Sequence, residues 1–249
     1  NGVTWTLLTS STYSTSYFWL LPNTPTTTAR VRITDFNNTC KNAVSDQSFT
    51  ITAATPTLSV NYPNGGEGLY PGTAVSISWS SSYLPTSNIK LEYSTNGGSS
   101  WTTISSTISS AVNNFSWTVP DVPTTQALVR ISLTSLPQIA DTSNNTFTIY
   151  PYFTVTTPNG GQSWQGCSYQ YLYFNKSSAL GYVKLDYSLD NGSTWNVISA
   201  NTYVGYGTSA SYYWQVPNQA SSNVLIRVSD PSVPSRFDVS DVVFQIIGD

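Results

Sequence analysis

The sequence repeats itself. Asn191-Gly192-Ser193-Thr194-Trp195 is matched by Gly97-Gly98-Ser99-Ser100-Trp101 and, near the start, by Asn1-Gly2-Val3-Thr4-Trp5, so that Trp5, Trp101 and Trp195 stand 96 and 94 residues apart. A period of about 95 residues is too long for a solenoid unit and fits an independent small β-domain. The spacing predicts the C-terminal half of a module over residues 1–55 and complete modules over 56–150 and 151–249. On this reading the chain is a segment of a longer tandem array, entered inside a hairpin. A module cut at that point is expected to be unstable alone, for want of its first strands.

Each complete module carries the same series of short alternating segments. Both open on a turn-rich block, Pro63-Asn64-Gly65-Gly66-Glu67 or Pro158-Asn159-Gly160-Gly161-Gln162, and reach a core aromatic, Trp79 or Phe174, sixteen residues after its Pro. Val75-Ser76-Ile77-Ser78-Trp79 is apolar at every second position, the pattern of a half-buried strand. Ile89-Lys90-Leu91-Glu92-Tyr93 and Val183-Lys184-Leu185-Asp186-Tyr187 alternate as cleanly, with Lys and an acid on the outward face. Three further blocks appear three times. Strands ending in Trp19 to Pro22, Trp117 to Pro120 and Trp214 to Pro217 are followed by Ala29–Ile33, Ala127–Ile131 and Val224–Val228. The last strands are Phe49–Ile51, Phe147–Ile149 and Phe244–Ile246. About seven strands per module with frequent turns predict an all-β fold of tandem antiparallel immunoglobulin- or fibronectin III-like β-sandwiches of about 95 residues each. The junctions fall at Thr55-Pro56 and Tyr150-Pro151, where proline fixes φ and stiffens the link.

Composition narrows the function. Hydrophobic residues make up 39% of the chain and aromatics 14%, enough for cores that need no metal and no disulfide framework. Charged residues make up only 8%, against about 25% in ordinary soluble domains. Ser, Thr and Asn supply the polarity instead, as in secreted β-proteins. Nine scattered basic residues and a net charge of −3 leave no electropositive stripe, which argues against a nucleic-acid partner. No apolar run approaches the ~18 residues of a membrane span. Cys40 and Cys167 fall in different modules, and the position matching Cys40 in the last module is Ser235. Either both cysteines are free, or Cys40 pairs with a residue of the absent half-module.

Ser188-Leu189-Asp190-Asn191-Gly192-Ser193-Thr194-Trp195 matches the Asp-box, Ser-x-Asp-x-Gly-x-x-Trp, and residues 94–101 are a copy with Asn96 in the Asp place. The physical content of such a box is a folded hairpin. Asp190 or Asn96 accepts hydrogen bonds from turn amides, Gly192, Gly98 or Gly2 takes a positive φ, and Trp195, Trp101 or Trp5 packs beneath the turn. Arg32, Arg130 and Arg227 recur at one place in an otherwise apolar strand. They read as structural arginines paired locally, with Asp46, Asn144 or Asp241 as candidate partners.

Histidine is absent, so no histidine-based triad or zinc site exists, and no acid pair recurs in a setting that suggests a glycosidase cleft. No catalytic residue, cofactor or metal ligand set is therefore assigned. The nearest approach to a calcium loop is Asp238 and Asp241 with Asp230, which surface acids explain equally well. Tyrosines are the remaining binding candidates. Tyr203, Tyr206, Tyr212 and Tyr213, with Tyr150 and Tyr152 at the junction, exceed what a small core demands. Such rings either stack on sugars or pack in cores and interfaces.

The combination of Pro-Asn-Gly-Gly-Glu, a tryptophan strand and Tyr-Ser-x-Asn/Asp-Gly-Gly-x-x-Trp resembles the tandem repeats of large secreted Bacteroidota surface proteins, of the gliding-motility adhesin type carried by type IX secretion. The opening block is also similar to a Ser/Thr-rich wall-protein module. The resemblance implies an extracellular, cell-surface array without enzymatic activity, an adhesive or filament-like stalk. Its implied partners are other repeats of the same chain, surface polysaccharide, or a protein of a secretion or motility machinery. The other reading kept open is a set of carbohydrate-binding accessory modules of a secreted enzyme.

Overall fold

A computed structural model describes residues 2–248. Contacts gather the chain into two compact units. One holds the residues up to Thr57 together with Ser81–Pro85; the other holds Leu58–Ser80 and the chain from Thr86 onward.

The first repeat contributes β1 (Thr26–Ala29), β2 (Arg32–Thr34), β3 (Asn42–Val44) and β4 (Phe49–Ile51), paired β1 with β4 and β2 with β3. The strand expected to end at Pro22 does not form; residues 16–22 are irregular. No counterpart of the central strand stands beside them within residues 2–57, so their backbone groups have no ladder to join. Phe18, Leu20, Ile33 and Phe36 lie exposed, and Ile51 is the buried aliphatic of these strands.

The second repeat comprises β5 (Thr57–Tyr62), β6 (Gly68–Leu69), β7 (Ala74–Ser82), β8 (Asn88–Ser94), β9 (Thr102–Ser109), β10 (Asn114–Thr118), β11 (Thr124–Leu133), β12 (Ala140–Thr142) and β13 (Phe147–Ile149). The last comprises β14 (Phe153–Thr157), β15 (Ser163–Gln165), β16 (Tyr169–Lys176), β17 (Tyr182–Ser188), β18 (Asn196–Tyr203), β19 (Ser209–Gln215), β20 (Ser221–Ser229), β21 (Phe237–Val239) and β22 (Phe244–Ile247). The two share one topology. A three-stranded sheet, β10-β7-β5 or β19-β16-β14, accompanies a larger one, β6-β13-β11-β8-β9 or β15-β22-β20-β17-β18, and β12 or β21 also pairs with β11 or β20. β6 with β13 and β15 with β22 pair in parallel, and the other pairings of the two larger sheets are antiparallel. These are all-β, immunoglobulin- and fibronectin III-like sandwiches.

Alternation decides which side chains meet between the sheets. Ile77 and Trp79 of β7 and Ile89 and Leu91 of β8 fill the second repeat; Leu172 and Phe174 of β16 and Val183 and Leu185 of β17 fill the last. Each such aliphatic or aromatic side chain contributes about 1.5–3 kcal/mol on leaving water. Trp79 Nε1 is buried without a hydrogen-bond partner, and the last repeat seats Phe174 at that place, keeping the ring without the stranded donor.

The opening block works as a clasp. Asn64 Oδ1 accepts the Asn144 amide and Asn159 Oδ1 the Asp241 amide, both at 2.7 Å. Glu67 folds back onto the Asn64 and Gly65 amides, and Gln162 onto the Gly160 amide. Gly65 and Gly160 have φ of 128° and 122°, and a Cβ on either would lie within 2.6 Å of Asn145 or Val242. Only glycine fits both demands.

The two complete repeats are joined inside one unit by a packed junction. On the second repeat's side Tyr150 lies over Tyr70, ring centroids 4.8 Å apart; across from it Tyr152 is buried, and a Cβ on Gly72 would lie 3.0 Å from its hydroxyl. The Ser177 hydroxyl donates to the Pro71 carbonyl at 2.6 Å, and the Ser177 amide to the Tyr152 carbonyl at 2.8 Å. The Arg236 guanidinium sits 4.3 Å above the Tyr152 ring while also pairing with Asp230. Burial raises the Tyr152 hydroxyl above its ordinary pKa against the opposing pull of Arg236, with Asp121 and Asp230 adding to the rise. Beside it Lys176 is fully buried, its ammonium donating to the carbonyls of Leu180, Gly207 and Ser177; burial lowers its pKa.

Candidate functional site

The recurring hairpin and arginine belong to one assembly. In the last repeat the Ser188 hydroxyl donates to Asp190 Oδ1 and accepts the Gly192 amide at 2.8 Å. Asp190 also accepts the Thr194 amide at 2.8 Å and the Thr194 hydroxyl at 2.6 Å. These bonds, led by those from Thr194, hold the Asp190 carboxyl down at a pKa of about 2. In the second repeat Ser94 and Asn96 make the same turn, with Ser100 in the place of Thr194. Gly98 and Gly192 both have φ 88°, and a Cβ on either would touch the Trp101 or Trp195 indole at 3.4 or 3.6 Å. Gly2, at φ 72°, turns the same way ahead of Trp5.

Each hairpin indole is roofed by the recurring arginine. The guanidinium carbons of Arg32, Arg130 and Arg227 stand 4.4, 4.3 and 4.3 Å from the rings of Trp5, Trp101 and Trp195. For Arg130 and Arg227 the ionic partners correct the expectation. Arg130 donates through Nε and Nη2 to Glu92 at 3.1 and 2.7 Å, and Arg227 likewise to Asp186 at 3.2 and 2.9 Å. Asn144 and Asp241 instead meet the opening block. The reason is register: Arg130 stands directly across from Glu92, and Arg227 from Asp186, so the side chains share a face at closest approach. Lys90 and Lys184 close the other side, 2.6 and 3.0 Å from the same carboxylates. Burial alone would raise the Glu92 carboxyl, but its bonds to Lys90 and Arg130 outweigh that and hold it below the usual range. The sequence marked Glu92 and Asp186 as exposed, by alternation. They are outward yet buried, because the indole, guanidinium and lysine stem cover them. Each carboxylate of these clusters is paired with one arginine and one lysine of the same sheet.

Asp141, Asp230, Asp238 and Asp241 are committed too. Asp141 Oδ2 accepts the Val60 amide, Asp238 Oδ2 the Val155 amide, and Asp230 pairs with Arg236, so Asp230, Asp238 and Asp241 do not converge as a calcium loop would require. Cys40 and Cys167 are free and exposed. In the first unit a cleft of about 620 Å³ is lined by Gly2, Trp5, Thr28, Arg30, Val44 and Ser48, and no acid stands in it.

The tyrosines divide differently from the sequence grouping. Tyr203 and Tyr206 are exposed neighbours, 6.1 Å between ring centroids, and Tyr182 lies 5.1 Å from Tyr203. Tyr212 does not join them. It packs against the core, because it faces Leu172 across the ladder on the inward side of β19. Its neighbour Tyr213 points outward and meets Tyr169 and Tyr171 at 5.0 and 4.8 Å, with Tyr173 5.8 Å beyond Tyr171. Tyr150 and Tyr152 belong to the junction. The signal for the outward group was present in the sequence as tyrosine at every second position of Tyr169-Gln170-Tyr171-Leu172-Tyr173.

No protein-family model matches this sequence, and no curated protein matches it. Among solved structures it is similar to the fibronectin(III)-like modules of Clostridium thermocellum CbhA, at 17% identity and a TM-score of 0.24 over 76% of this chain and 95% of that one. It is also similar to the I9–I11 tandem of titin, at 10% identity and 0.35 over 84% and 73%. The polymeric Ig receptor ectodomain of a teleost fish gives 7% identity and 0.31 over 77% and 100%.

Proposed function

We propose that this chain is a non-enzymatic segment of a surface-exposed tandem array, an adhesive or filament-like stalk in which sandwiches are held at fixed angles. The observation that carries this reading is the junction between the complete repeats. The Ser177 hydroxyl of the last repeat donates to the Pro71 carbonyl of the second, and Gly72 of the second approaches the buried Tyr152 and Ala179 of the last so closely that a Cβ on it would lie 3.0 and 3.4 Å from them. Interfaces of that kind suppress interdomain motion, which a stalk needs in order to bear extension. The commitment of the acids named above to amides and arginines supports the non-enzymatic part. A cell-surface location belongs to the same reading, as do neighbouring repeats and surface polymers as partners. Small-angle scattering on the full chain tests it. A stalk predicts a distance distribution with a long tail that the double variant Tyr152→Ala/Ser177→Ala broadens; a compact envelope, unchanged by that variant, overturns it.

A second reading, carbohydrate-binding accessory modules, is favoured by one observation: the last repeat exposes seven tyrosines in two clusters, Tyr182, Tyr203 and Tyr206, and Tyr169, Tyr171, Tyr173 and Tyr213.

A further inference from the structure

The three-stranded sheets of the two complete repeats differ on their outer faces, and the registers allow a position-by-position comparison. In the last repeat Gln170 pairs with Trp214 and Tyr171 with Tyr213; in the second, Val75 pairs with Trp117 and Ser76 with Ser116. Tyr169, Tyr171, Tyr173 and Tyr213 therefore occupy the places that Ala74, Ser76, Ser78 and Ser116 fill in the second repeat. The same sandwich closes without any of the four rings. They do not serve the core either: each is 47–55% exposed, and they contact one another. Four tyrosines held exposed, side by side, on a scaffold that does not need them form a patch that calls for a partner.

We propose that this face is a binding platform for an uncharged polysaccharide. Three features choose that occupant. Tyr169, Tyr171 and Tyr173 alternate along the central strand, so their rings span about 13 Å along it, enough for more than one pyranose ring. Tyrosine offers a flat apolar body for the C–H face of a sugar and a hydroxyl for its edge, and loses little rotamer freedom on contact. The flanking outward residues are Thr154 and Thr156 of β14, Asn175 of β16, and Ser209, Ser211 and Gln215 of β19, all neutral donors and acceptors suited to hydroxyl groups. No charged side chain lies among these outward positions, because Lys176 points inward and is buried. A nucleic acid would stack on such rings too, but would find no cation to neutralise its phosphates. At the Tyr173 end the face runs into a groove of about 420 Å³ lined by Tyr173, Val204, Ser209, Ala210 and Ser211, a place for a substituent or a turn of the polymer.

This inference rests on the carbohydrate-binding reading above and names its face and ligand class; it stands apart from the stalk reading, since either can fail while the other holds. The test uses the full chain in affinity electrophoresis against cellulose derivatives, xylan, mannan and mixed-linkage glucan, with heparin and single-stranded DNA as charged controls. The expected result is retardation by at least one neutral polymer. It should weaken more than tenfold in Tyr169→Ala/Tyr171→Ser/Tyr173→Ser/Tyr213→Ser, which installs the second repeat's residues, while Tyr203→Ala/Tyr206→Ala leaves it unchanged. A readout without any variant guards against misfolding: the bound polymer should protect Tyr169, Tyr171, Tyr173 and Tyr213 from nitration while Tyr13 and Tyr17 stay reactive. Retardation by no neutral polymer, retardation by the charged controls alone, equal retardation of the four-fold variant, or unprotected face tyrosines each overturn the proposal.

Discussion

The second and last repeats are two solutions to one fold, and their differences are concentrated where the fold does not care. Strand order, clasp, hairpin and the Arg–Trp–acid–Lys cluster agree between them. The outer faces of the three-stranded sheets do not: one is Ala and Ser, the other tyrosine. The ends of the central strands differ as well, since Ser81 and Ser82 of β7 are exposed whereas Lys176 of β16 and the following Ser177 are buried. Similarity marks what closes a sandwich; the differences lie on an outer face and at a strand end.

The largest effect that would sharpen this comparison comes from the ion cluster. Asp186 is the more deeply covered carboxylate, at 1% side-chain exposure against 6% for Glu92, and Arg227 is less exposed than Arg130. Removing a cation from a buried carboxylate leaves charge that water reaches poorly, so Arg227→Met should cost about 3 kcal/mol. Arg130→Met should cost about 1–2 kcal/mol, because Arg130 is more than a third solvated. Urea unfolding followed by tryptophan fluorescence measures both; equal losses would break the claim that the two clusters are graded by burial.

A smaller effect is expected at the strand ends. Ser177→Ala removes the hydroxyl bond to Pro71 and should lower stability by about 1 kcal/mol, whereas Ser82→Ala at the matching exposed position should change it by less than about 0.5 kcal/mol. Thermal melting of the two variants compares them directly, and a neutral Ser177→Ala would remove the junction's main polar tie.

The smallest effect is a titration. The Asp190 carboxyl sits below its unfolded value, so its contribution is complete above about pH 4 and fades as pH falls toward 2, when the carboxyl protonates in the folded state. Asn96 has no proton to gain. The Thr194 amide resonance should therefore move with a midpoint near pH 2 and the Ser100 amide should stay still. Asp190→Asn should flatten the first, and Asn96→Asp should give the second a titration of its own.

Several of these elements were legible as text. The hairpin needed only Asn-Gly between alternating runs, since positive φ and a short polar side chain are local demands. The two-residue period picked out Leu91, Leu185 and Ile77 as core because a strand has only two faces. The arginine partners were misjudged for the complementary reason. Choosing Glu92 over Asn144 requires knowing which residue lies opposite Arg130, and that follows from strand register rather than from spacing along the chain. Tyr212 and Tyr213 make the same point at one remove: adjacent, identical in type, and sent to opposite sides of a sheet.

The sequence by itself determined the repeat, its period, the strands of the second and last repeats and the turn chemistry, because each depends on residues close together along the chain; the strand expected before Pro22 did not form. The tertiary structure alone decided that four tyrosines converge on one uncharged face and that Tyr152 and Ser177 weld two sandwiches together. Contacts between residues dozens of positions apart depend on how strands pair, and pairing is a property of the packed sheets.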